Sequence, residues 1–302
     1  MKRLFKETFS KWRYLRNHPG FRRAPALTLA RLGRWKIHCA LGIPATVNLD
    51  PWEVRMFLPP QWRGGGTTGI FALRHLYERE LAYLERLISP GMVVVDAGAN
   101  CGIYTVAAAR LVGPSGKVLS FEPGLQAFSL LKKNIEINQF HNVRAYRAAL
   151  CDKNGKARLY HNELGQTSFS LGYSKSTCAE FEEVTTRTLD SVLEDEGAGQ
   201  VGLVKLDVEG AEELVLRGVE KLLVHSRPRF ILEMNAFATE RLDLRPTGSW
   251  ELLKSYGYDF LSLSGTGTPR QLNQPPAADE ITNVIAVHRE HQNESLAHRA
   301  CL

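Results

Sequence analysis

The 302-residue chain is 44% hydrophobic and has a net charge of +6, a composition that provides ample material for a buried core and argues against intrinsic disorder. The charge is unevenly distributed, because residues 1–40 contain eleven Lys or Arg residues and one acid, Glu7. This arm therefore carries +10 and the remaining chain carries −4. The basic pI belongs to the arm, and it is not evidence that the body of the protein binds nucleic acid.

The five cysteines are scattered along the chain, and none forms a C-x-x-C pair. That pattern argues against a disulfide framework and a zinc site, and it favours a reducing compartment. No apolar run approaches the roughly 18–20 residues that span a bilayer, and no signal-peptide core follows the N-terminal charges. We therefore expect a cytoplasmic protein that is either soluble or peripheral to the inner face of a membrane.

The pattern of residues 1–18 predicts a short amphipathic basic helix. Phe5, Phe9 and Trp12 share one helical face, most cations lie elsewhere, and a Pro-Gly pair ends the helix. Three interpretations stay open: solvated charge, an interfacial helix on anionic lipid, and a targeting or RNA-binding segment. The second interpretation makes a membrane a candidate partner of residues 1–18.

The segment between this arm and residue 90 has mixed patterns. Its sequence predicts a helix over residues 26–39, short strands within 45–58, a loop over 61–69 and a helix over 71–88. We divide the chain into an arm and lead-in region (1–90), a catalytic domain (91–290) and a polar C-terminal tail (291–302).

From residue 92 onward, apolar runs alternate with helical patterns, as is typical of a parallel sheet covered by helices on both faces. The runs that predict strands are residues 93–95, 117–121, 143–147, 202–206, 229–232, 259–263 and 281–287. Helical patterns separate the first five runs, at residues 103–111, 125–137, 189–195 and 211–223. A Gly/Pro-rich loop, residues 264–279, joins the last two, so we expect that pair to be antiparallel.

An insertion, residues 151–188, separates the third and fourth predicted strands. It contains a turn at residues 152–155 and one run, 158–161, that predicts an extra strand. Insertions at the carboxyl edge of such sheets commonly shape the substrate site. His161 is therefore a candidate substrate residue, with a solvated loop histidine as the alternative.

Residues 93–105, VVVDAGANCGIYT, lead from an apolar strand through an acid and a glycine-containing loop into a helix. Three consecutive valines fit a strand that is buried on both faces. Gly98 and Gly102 allow the backbone to approach a ligand closely. Dinucleotide enzymes and methyltransferases that use S-adenosylmethionine share this arrangement, so the loop predicts a bound nucleoside without identifying it.

Acidic residues end the first two predicted strands. Glu122, at the end of the second, is placed to accept both hydroxyls of a ribose. Asp96, at the end of the first, either contacts the cofactor or caps the following loop. Nicotinamide-dependent oxidoreductases carry a G-x-G-x-x-G loop, whereas Asn100 stands at the second glycine position here. The spacing therefore disfavours an oxidoreductase.

Five segments together resemble the FkbM family of class I S-adenosylmethionine-dependent methyltransferases. They are DAGANCG, FEP, LKKNIEINQFHNV, RTLD and, above all, VKLDVEGAEELVLRG at residues 204–218. The resemblance extends from about Glu78 to Glu233. It implies a Rossmann-like α/β fold with a seven-stranded, mostly parallel sheet, an antiparallel last strand and helices on both faces. It also implies S-adenosylmethionine as methyl donor, S-adenosylhomocysteine as product, and O-methylation of sugar hydroxyls of glycans or glycolipids or of natural products.

The same resemblance implies roles for individual residues. The loop around the methionine moiety and ribose would be formed by Asp96, Gly98, Asn100 and Gly102. Glu122 would bind the ribose, and Ala149, within residues 148–150, would lie near the adenine. The chain departs from the family pattern at Cys101, in a variable place of the loop, and at Asn235, where we expect an imidazole.

Asp207, Glu209 and Glu212 follow the fourth predicted strand, at the edge where the crevice of an open α/β sheet lies. Methyl transfer is an in-line displacement, and a hydroxyl nucleophile benefits from a carboxylate that takes or orients its proton. We take Asp207 and Glu209 as candidate catalytic residues. The alternatives are that Asp207 faces the methionine ammonium group, and that Glu209 and Glu212 are acids at a helix N-terminus.

Glu233 ends the fifth predicted strand and is a further candidate substrate residue. Together with the acids of the fourth strand it would also form a set of oxygen ligands for a divalent cation such as magnesium. The sequence leaves metal dependence undecided, and we assign no metal ligand. Glu80, on the predicted helix 71–88, is a candidate to cover the cofactor.

These patterns predict an S-adenosylmethionine-dependent O-methyltransferase whose acceptor is a small molecule or a glycan. The alternative is an RNA methyltransferase or RNA-binding module that uses the basic arm. Aromatic and basic residues do not interleave beyond residue 40 and the body is acidic, so we do not expect nucleic acid as the partner. The sequence does not indicate an oligomeric state.

Overall fold

A computed structural model describes residues 15–62, 66–161, 169–170, 181–263 and 269–294. The basic helix predicted over residues 1–18 lies mostly outside the described residues, as does most of the C-terminal tail.

An eight-stranded sheet occupies the centre of the described chain. In spatial order its strands are β13 (Arg270–Leu272), β12 (Tyr258–Ser262), β14 (Thr282–His288), β11 (Arg229–Met234), β10 (Val201–Leu206), β3 (Val93–Ala97), β4 (Lys117–Phe121) and β5 (Val143–Tyr146). Strands β11, β10, β3, β4 and β5 are parallel. Strand β14 lies between β11 and β12 and is antiparallel to both. The predicted strands and the predicted antiparallel pair are confirmed.

The sequence predicted seven strands in this sheet, and the structure has eight. Strand β13 lies inside the segment 264–279 that was expected to be a loop, and it pairs with β12 in antiparallel register. Its three residues are polar or only partly buried. A strand this short, without an apolar run, gives no periodic signal.

Helices pack on the two faces of this sheet. In chain order they are α1 (Pro19–Arg23), α2 (Pro25–Ala40), α3 (Thr67–Leu73), α4 (Leu84–Leu87), α5 (Ile103–Val112), α6 (Leu125–Ile137), α7 (Leu189–Asp195), α8 (Glu212–Arg217), α9 (Glu220–His225), α10 (Ala236–Glu240) and α11 (Gly248–Ser255). Short 3₁₀ turns cover Asp50–Trp52, Arg74–Leu76, Arg79–Tyr83 and Arg289–Glu294. None of the described helices has both the length and the apolar character needed to cross a membrane.

The single helix predicted over residues 71–88 is wrong. Helix α3 begins inside the predicted loop 61–69 and ends at Leu73, because Arg74 adopts φ +59° and ψ −132°. The Arg74 guanidinium donates to the carbonyls of Ile70 and Phe71 and so closes the end of the helix. Glu78 then has extended backbone angles before the chain becomes helical again. This interruption leaves Glu78 in extended backbone, where the predicted continuous helix would have made it a helical residue.

The helix predicted over residues 211–223 is likewise two helices, α8 and α9, separated at Gly218. A Cβ at Gly218 would lie 2.2 Å from the carbonyl oxygen of Cys151. The chain therefore passes close to the start of the insertion at this point.

The insertion belongs to a second, four-stranded sheet, whereas the sequence predicted a single extra strand there. It joins β6 (Ala149–Leu150), β9 (Phe181–Arg187), β7 (Gly155–His161) and β8 (Phe169–Ser170) in that order. The predicted strand 158–161 is the second half of β7, which pairs with β9 in antiparallel register. Strand β9 has the sequence FEEVTTR, which is mostly charged and polar, so no apolar run predicted this strand. Strand β6 ties this small sheet to the carboxyl edge of the large one.

The lead-in region shares a hydrophobic core with the central sheet. Trp35 of α2, Leu58 of β2 (Val54–Leu58) and Phe71 of α3 belong to the same buried cluster as Val94 and Val106. Strand β2 pairs with β1 (Ala45–Leu49) in a two-stranded sheet over α5 and α6. A domain boundary at residue 90 stays a prediction, and the hydrophobic core itself is continuous across that position.

Candidate functional site

A cavity of about 910 Å³, including its open mouth, lies at the carboxyl ends of β3, β4 and β10. Its lining comes from the loop after β3 with the start of α5, the ends of β4 and β10 with the residues that follow them, strands β6 and β7, and α3 with the segment after it. The principal lining residues are Tyr77, Glu78, Gly98, Ala99, Asn100, Tyr104, Phe121, Glu122, Ala148, Ala149, Leu150, Lys205, Asp207 and Glu209. Open α/β sheets bind their ligands at this edge, in the crevice outside the strand ends.

The loop after β3 exposes main-chain atoms to the cavity, because Gly98 has no side chain. Gly98 has φ +75°, and a Cβ there would lie 1.8 Å from the carbonyl oxygen of Asp207. The amides of Gly98 and Ala99 both donate to the carbonyl of Phe121, at 3.0 and 2.9 Å. These bonds join the ends of β3 and β4. Only glycine combines this backbone conformation with this close approach to β10.

Replacing Gly98 with alanine should lower the free energy of unfolding by about 2–3 kcal/mol, because the new methyl group meets backbone in a left-handed conformation. Chemical denaturation measures the change. The matched control is Gly199→Ala, since a Cβ at Gly199 meets no heavy atom within 4 Å. Equal stability of the two variants would contradict the close contact between the two strand ends.

Glu122 is held rigidly at the cavity wall. Its Oε2 accepts from the amide of Asn100 at 2.8 Å, and its Oε1 accepts from the amide of Gly124 at 2.9 Å. Burial raises the pKa of Glu122 to about 7, and these two amides act in the opposite direction. Each carboxylate oxygen retains a further lone pair for a ligand hydroxyl. Phe121 and Ala149 form an apolar wall beside the carboxylate.

Lys205 is the buried cation of the site. Its Nζ lies 3.2 Å from Oδ2 of Asp207 and 3.8 Å from Oδ1 of Asp96, and it donates to the carbonyl of Gly98 at 3.0 Å. The same ammonium group stands 4.9 Å from the centre of the Tyr104 ring. The side chain of Lys205 therefore joins the ends of β3 and β10 at the cavity wall.

Asp96 lies behind the cavity. It is 1% exposed, and its Oδ2 accepts from the hydroxyl of Thr105 at 2.6 Å. Burial raises its pKa, whereas Lys205 and the Thr105 hydroxyl lower it. Asp96 does not line the cavity, and the contact with the methionine moiety that the family resemblance implied stays a prediction. Its position fits the alternative interpretation, a carboxylate that fixes the loop.

Glu80 was the residue predicted to cover the cofactor, and the structure places Glu78, which had no predicted role, in the cavity lining. Glu80 is buried and accepts from the Tyr104 hydroxyl at 3.3 Å. Glu78 lines the cavity. Burial raises the pKa of Glu78 to about 7, Lys205 lowers it, and Asp207 and Glu80 raise it further. The acid at the cavity wall is therefore Glu78, whose position depends on the end of helix α3 at Leu73.

The acids after β10 have distinct surroundings. Glu209 lines the cavity and has φ +56°, a left-handed conformation that is costly for a residue with a Cβ. Burial raises its pKa to about 7, Asp207 raises it further, and Lys205 and Arg241 lower it. Asp207 also lines the cavity and carries the ion pair with Lys205.

Glu212 and Glu233 lie outside the cavity lining. Oε1 of Glu212 accepts from the amides of Val208 and Gly210, at 2.9 and 3.3 Å, so this carboxylate closes the loop that carries Glu209. Glu233 accepts from Asn235 at 3.4 Å. Burial, followed by the charges of Asp207, Glu212 and Glu209, raises the pKa of Glu233 well above its ordinary value.

Six of the sequence-predicted site residues meet around one cavity: Gly98, Asn100, Glu122, Ala149, Asp207 and Glu209. Gly102, with φ +88°, begins α5 against Leu131 and does not line it. The side chain of His161 lies outside the described residues. Within the described ranges, no group of three or more His, Cys, Asp or Glu side chains is arranged to hold a metal ion.

The sequence analysis missed Glu78 and Lys205. A signal for Lys205 was present, because it is a charged residue within the otherwise apolar strand VGLVKL. Buried lysines are rare without acidic partners. The partners here are Asp96, near the end of β3, and Asp207, directly after β10. Glu78 had no such signal, because its position depends on the backbone at Arg74.

Comparison with known proteins identifies the family. The family model "Methyltransferase FkbM domain" matches residues 96–260. The 31-O-demethyl-FK506 methyltransferase FkbM of Streptomyces tacrolimicus is 30% identical over 161 residues, which cover 44% of this chain and 61% of that protein. The 2-O-methyltransferase NoeI of Sinorhizobium fredii is 26% identical over 156 residues, which cover 47% and 63%.

A crystal structure of a methyltransferase FkbM from Methylobacillus flagellatus KT aligns with 74% of this chain and 54% of its own, at 13% identity and a TM-score of 0.43. The chain spans about three fifths of the length of the curated relatives that it matches. The family model covers more than half of the chain. The chain therefore contains an S-adenosylmethionine-dependent methyltransferase domain and belongs to the FkbM methyltransferase family.

Proposed function

We propose that this chain methylates a hydroxyl group of a carbohydrate or a natural product, with S-adenosylmethionine as donor. The observation that carries the proposal is that a buried carboxylate at the end of β4 and an acid of raised pKa after β10 face the same cavity. The first has the position of a ribose ligand. The second has the position of a base beside the acceptor.

The residues of the cavity fit the donor. Glu122 would accept the ribose hydroxyls, and the bare backbone at Gly98 leaves space for the amino-acid part. Ala149, Leu150 and Phe121 would contact the adenine. When bound, S-adenosylmethionine supplies an electrophilic methyl group on a positively charged sulfur.

The charges around the cavity favour a cationic donor and a neutral acceptor. The acids that line it are Glu78, Glu122, Asp207 and Glu209, and Lys205 is the lining cation. Such a surface attracts a sulfonium and an ammonium group, and it repels a phosphate or carboxylate. A neutral hydroxyl is the acceptor that this field tolerates best. The names of the two relatives above also refer to O-methylation, which supports the proposal.

We assign the role of general base to Glu209. Its pKa of about 7 suits proton transfer near neutral pH. Asp207 lines the cavity as a carboxylate paired with Lys205, and we assign it to binding the methionine ammonium group. Glu212 positions Glu209 through the loop amides. Glu233 and His161 stay sequence predictions for acceptor contact.

Calorimetric titration with S-adenosylhomocysteine tests the donor site without an acceptor. Binding of S-adenosylhomocysteine and no binding of a nicotinamide dinucleotide are the expected results. Tritium transfer from methyl-labelled S-adenosylmethionine into a panel of neutral glycosides, and into their phosphorylated counterparts, then tests the acceptor class. Preferential labelling of the phosphorylated compounds would refute the neutral-acceptor proposal.

Replacing Glu122 with glutamine should weaken S-adenosylhomocysteine binding about 10- to 100-fold. The variant loses charge-assisted hydrogen bonds to the ribose, each worth about 1.5–3 kcal/mol. The side-chain NH₂ group of glutamine would also face an amide donor, of Asn100 or Gly124. The control is Glu220→Gln, an exposed acid on α9, which should leave the affinity unchanged. Equal affinity of the wild-type protein and Glu122→Gln would remove Glu122 from the donor site.

A further inference from the structure

Helix α2 is apolar on two opposite faces. Its inner face carries Thr28, Leu32, Trp35 and Cys39 at helical spacing. Trp35 is fully buried, stacks on Phe71 with ring centres 4.6 Å apart, and donates to the hydroxyl of Thr68 at 2.9 Å. This face accounts for the attachment of α2 to α3, and it leaves the other apolar face unexplained.

The outer face of α2 is an uncovered apolar strip. It consists of Ala26, Ala30, Gly33, Ile37 and Leu41, all exposed and in helical register, with Leu29 beside them. Leu29, Ile37 and Leu41 are 46%, 60% and 66% exposed. A Cβ at Gly33 would meet no heavy atom within 4 Å, which confirms that no described segment packs there. Scattered exposed apolar side chains are ordinary, but a contiguous strip on one helix indicates a binding surface.

The surroundings of this strip are strongly cationic. Residues 15–49 contain no Asp or Glu, and their Lys and Arg residues are Arg16, Arg22, Arg23, Arg31, Arg34 and Lys36. Arg34 and Lys36 border the outer strip on opposite sides at helical spacing. Burial lowers the pKa of Arg74 to about 10, and the nearby charges of Arg31 and Arg34 lower it further, while Asp50 acts in the opposite direction. An anionic surface complements this combination of an apolar strip and cationic borders.

We propose that α2 lies flat in the interfacial region of a membrane that contains anionic lipid, with Leu29, Ile37 and Leu41 inserted among the acyl chains. Arg34 and Lys36 lie at the level of the headgroups. This surface is separate from the segment 1–18 that the sequence analysis considered, and its existence does not depend on methyl transfer.

A membrane bound to α2 would lie near the cavity. Helix α3 separates α2 from the cavity, since Phe71 of α3 packs on Trp35 while Ile70 lines the cavity. A membrane bound to the outer face of α2 therefore lies one helix away from the cavity wall. The contact would hold the methyltransferase domain close to the membrane surface.

Vesicle sedimentation tests the proposal on the full chain. Vesicles of phosphatidylcholine with about one third phosphatidylglycerol should bind the protein, vesicles of phosphatidylcholine alone should bind it less, and high salt should weaken the binding. The double variant Ile37→Ser/Leu41→Ser should reduce binding to anionic vesicles at least about tenfold, since inserted methylene groups contribute about 0.8 kcal/mol each. The matched control is Val224→Ser/Ile281→Ser, which removes two exposed apolar side chains elsewhere.

All variants should bind S-adenosylhomocysteine as the wild-type protein does, which separates loss of lipid binding from loss of fold and from failure of the proposed function. Undiminished vesicle binding by Ile37→Ser/Leu41→Ser would overturn the proposal. So would vesicle binding that is lost only in Phe5→Ser/Phe9→Ser/Trp12→Ser. A dimer in light scattering that the Ile37→Ser/Leu41→Ser variant dissociates would assign the strip to a second copy of the chain instead.

Discussion

Replacing Lys205 with methionine should lower the free energy of unfolding by about 3–5 kcal/mol at pH 7, the usual cost of removing one partner from a buried ion pair. Methionine keeps the approximate volume of the side chain but leaves Asp96 and Asp207 without their cation. Asp96 is 1% exposed, so solvent does not replace the lost ammonium group. The carbonyl of Gly98 also loses its donor.

The loss should depend on pH in a defined direction. Lys205 lowers the pKa of Asp96 and of Glu78, and burial raises both. Without Lys205 these folded-state pKa values rise further above the unfolded values. A carboxyl whose folded pKa is raised destabilises the protein as pH rises through the range between its two pKa values. The difference in stability between wild-type protein and variant should therefore shrink as pH falls from above 7 to below the wild-type pKa of Glu78, about 7.

Urea denaturation at several pH values measures both effects. Lys254→Met is the matched control, because Lys254 forms a more exposed ion pair with Asp259 at 2.8 Å. That change should cost about 1 kcal/mol or less. A loss of less than 1 kcal/mol in Lys205→Met, or a loss independent of pH, would mean that Lys205 does not hold the acids together.

The sequence predicts the strands of the large sheet because each is an apolar run between turn signals. Burial on both faces leaves such strands with no polar alternation, and the runs are therefore easy to recognise. The place of the site follows from the same pattern, since parallel strands end at one edge and the loop after β3 carries glycines. Gly98, Glu122 and Glu209 come together for this reason.

The parts that escaped prediction depend on contacts between distant residues. The stripe over residues 71–88 has helical spacing, yet the left-handed backbone at Arg74 breaks the helix and turns Glu78 to the cavity. Strand β9 pairs with β7, and its own sequence contains little apolar periodicity. Asp96 illustrates a different limit. A strand-end acid is equally suited to a ligand and to a hydroxyl, and the sequence does not show that Thr105 would lie within hydrogen-bonding distance of it.

Replacing Glu209 with glutamine should lower kcat/KM for methyl transfer by about 10²- to 10⁴-fold, the usual contribution of a positioned general base. Glutamine has the same shape but cannot take the proton of a hydroxyl nucleophile. Affinity for S-adenosylhomocysteine should stay within about twofold, because Glu209 is assigned to the acceptor side of the cavity. Radiolabelled transfer with an acceptor from the glycoside panel measures the rate. Glu240→Gln, an exposed acid on α10, serves as the control.

The pH profile separates a base from an acid that only shapes the cavity. Burial raises the pKa of Glu209 to about 7, and a general base acts in its unprotonated form. The wild-type kcat/KM should therefore rise with pH through about 7 and then level off, and this limb should be absent in Glu209→Gln. Asp207→Asn should instead weaken donor affinity, because Asp207 is assigned to the methionine ammonium group. If Glu209→Gln keeps the limb while Asp207→Asn abolishes it, the assignments of the two acids must be exchanged, since both line the cavity and only the proton transfer distinguishes them.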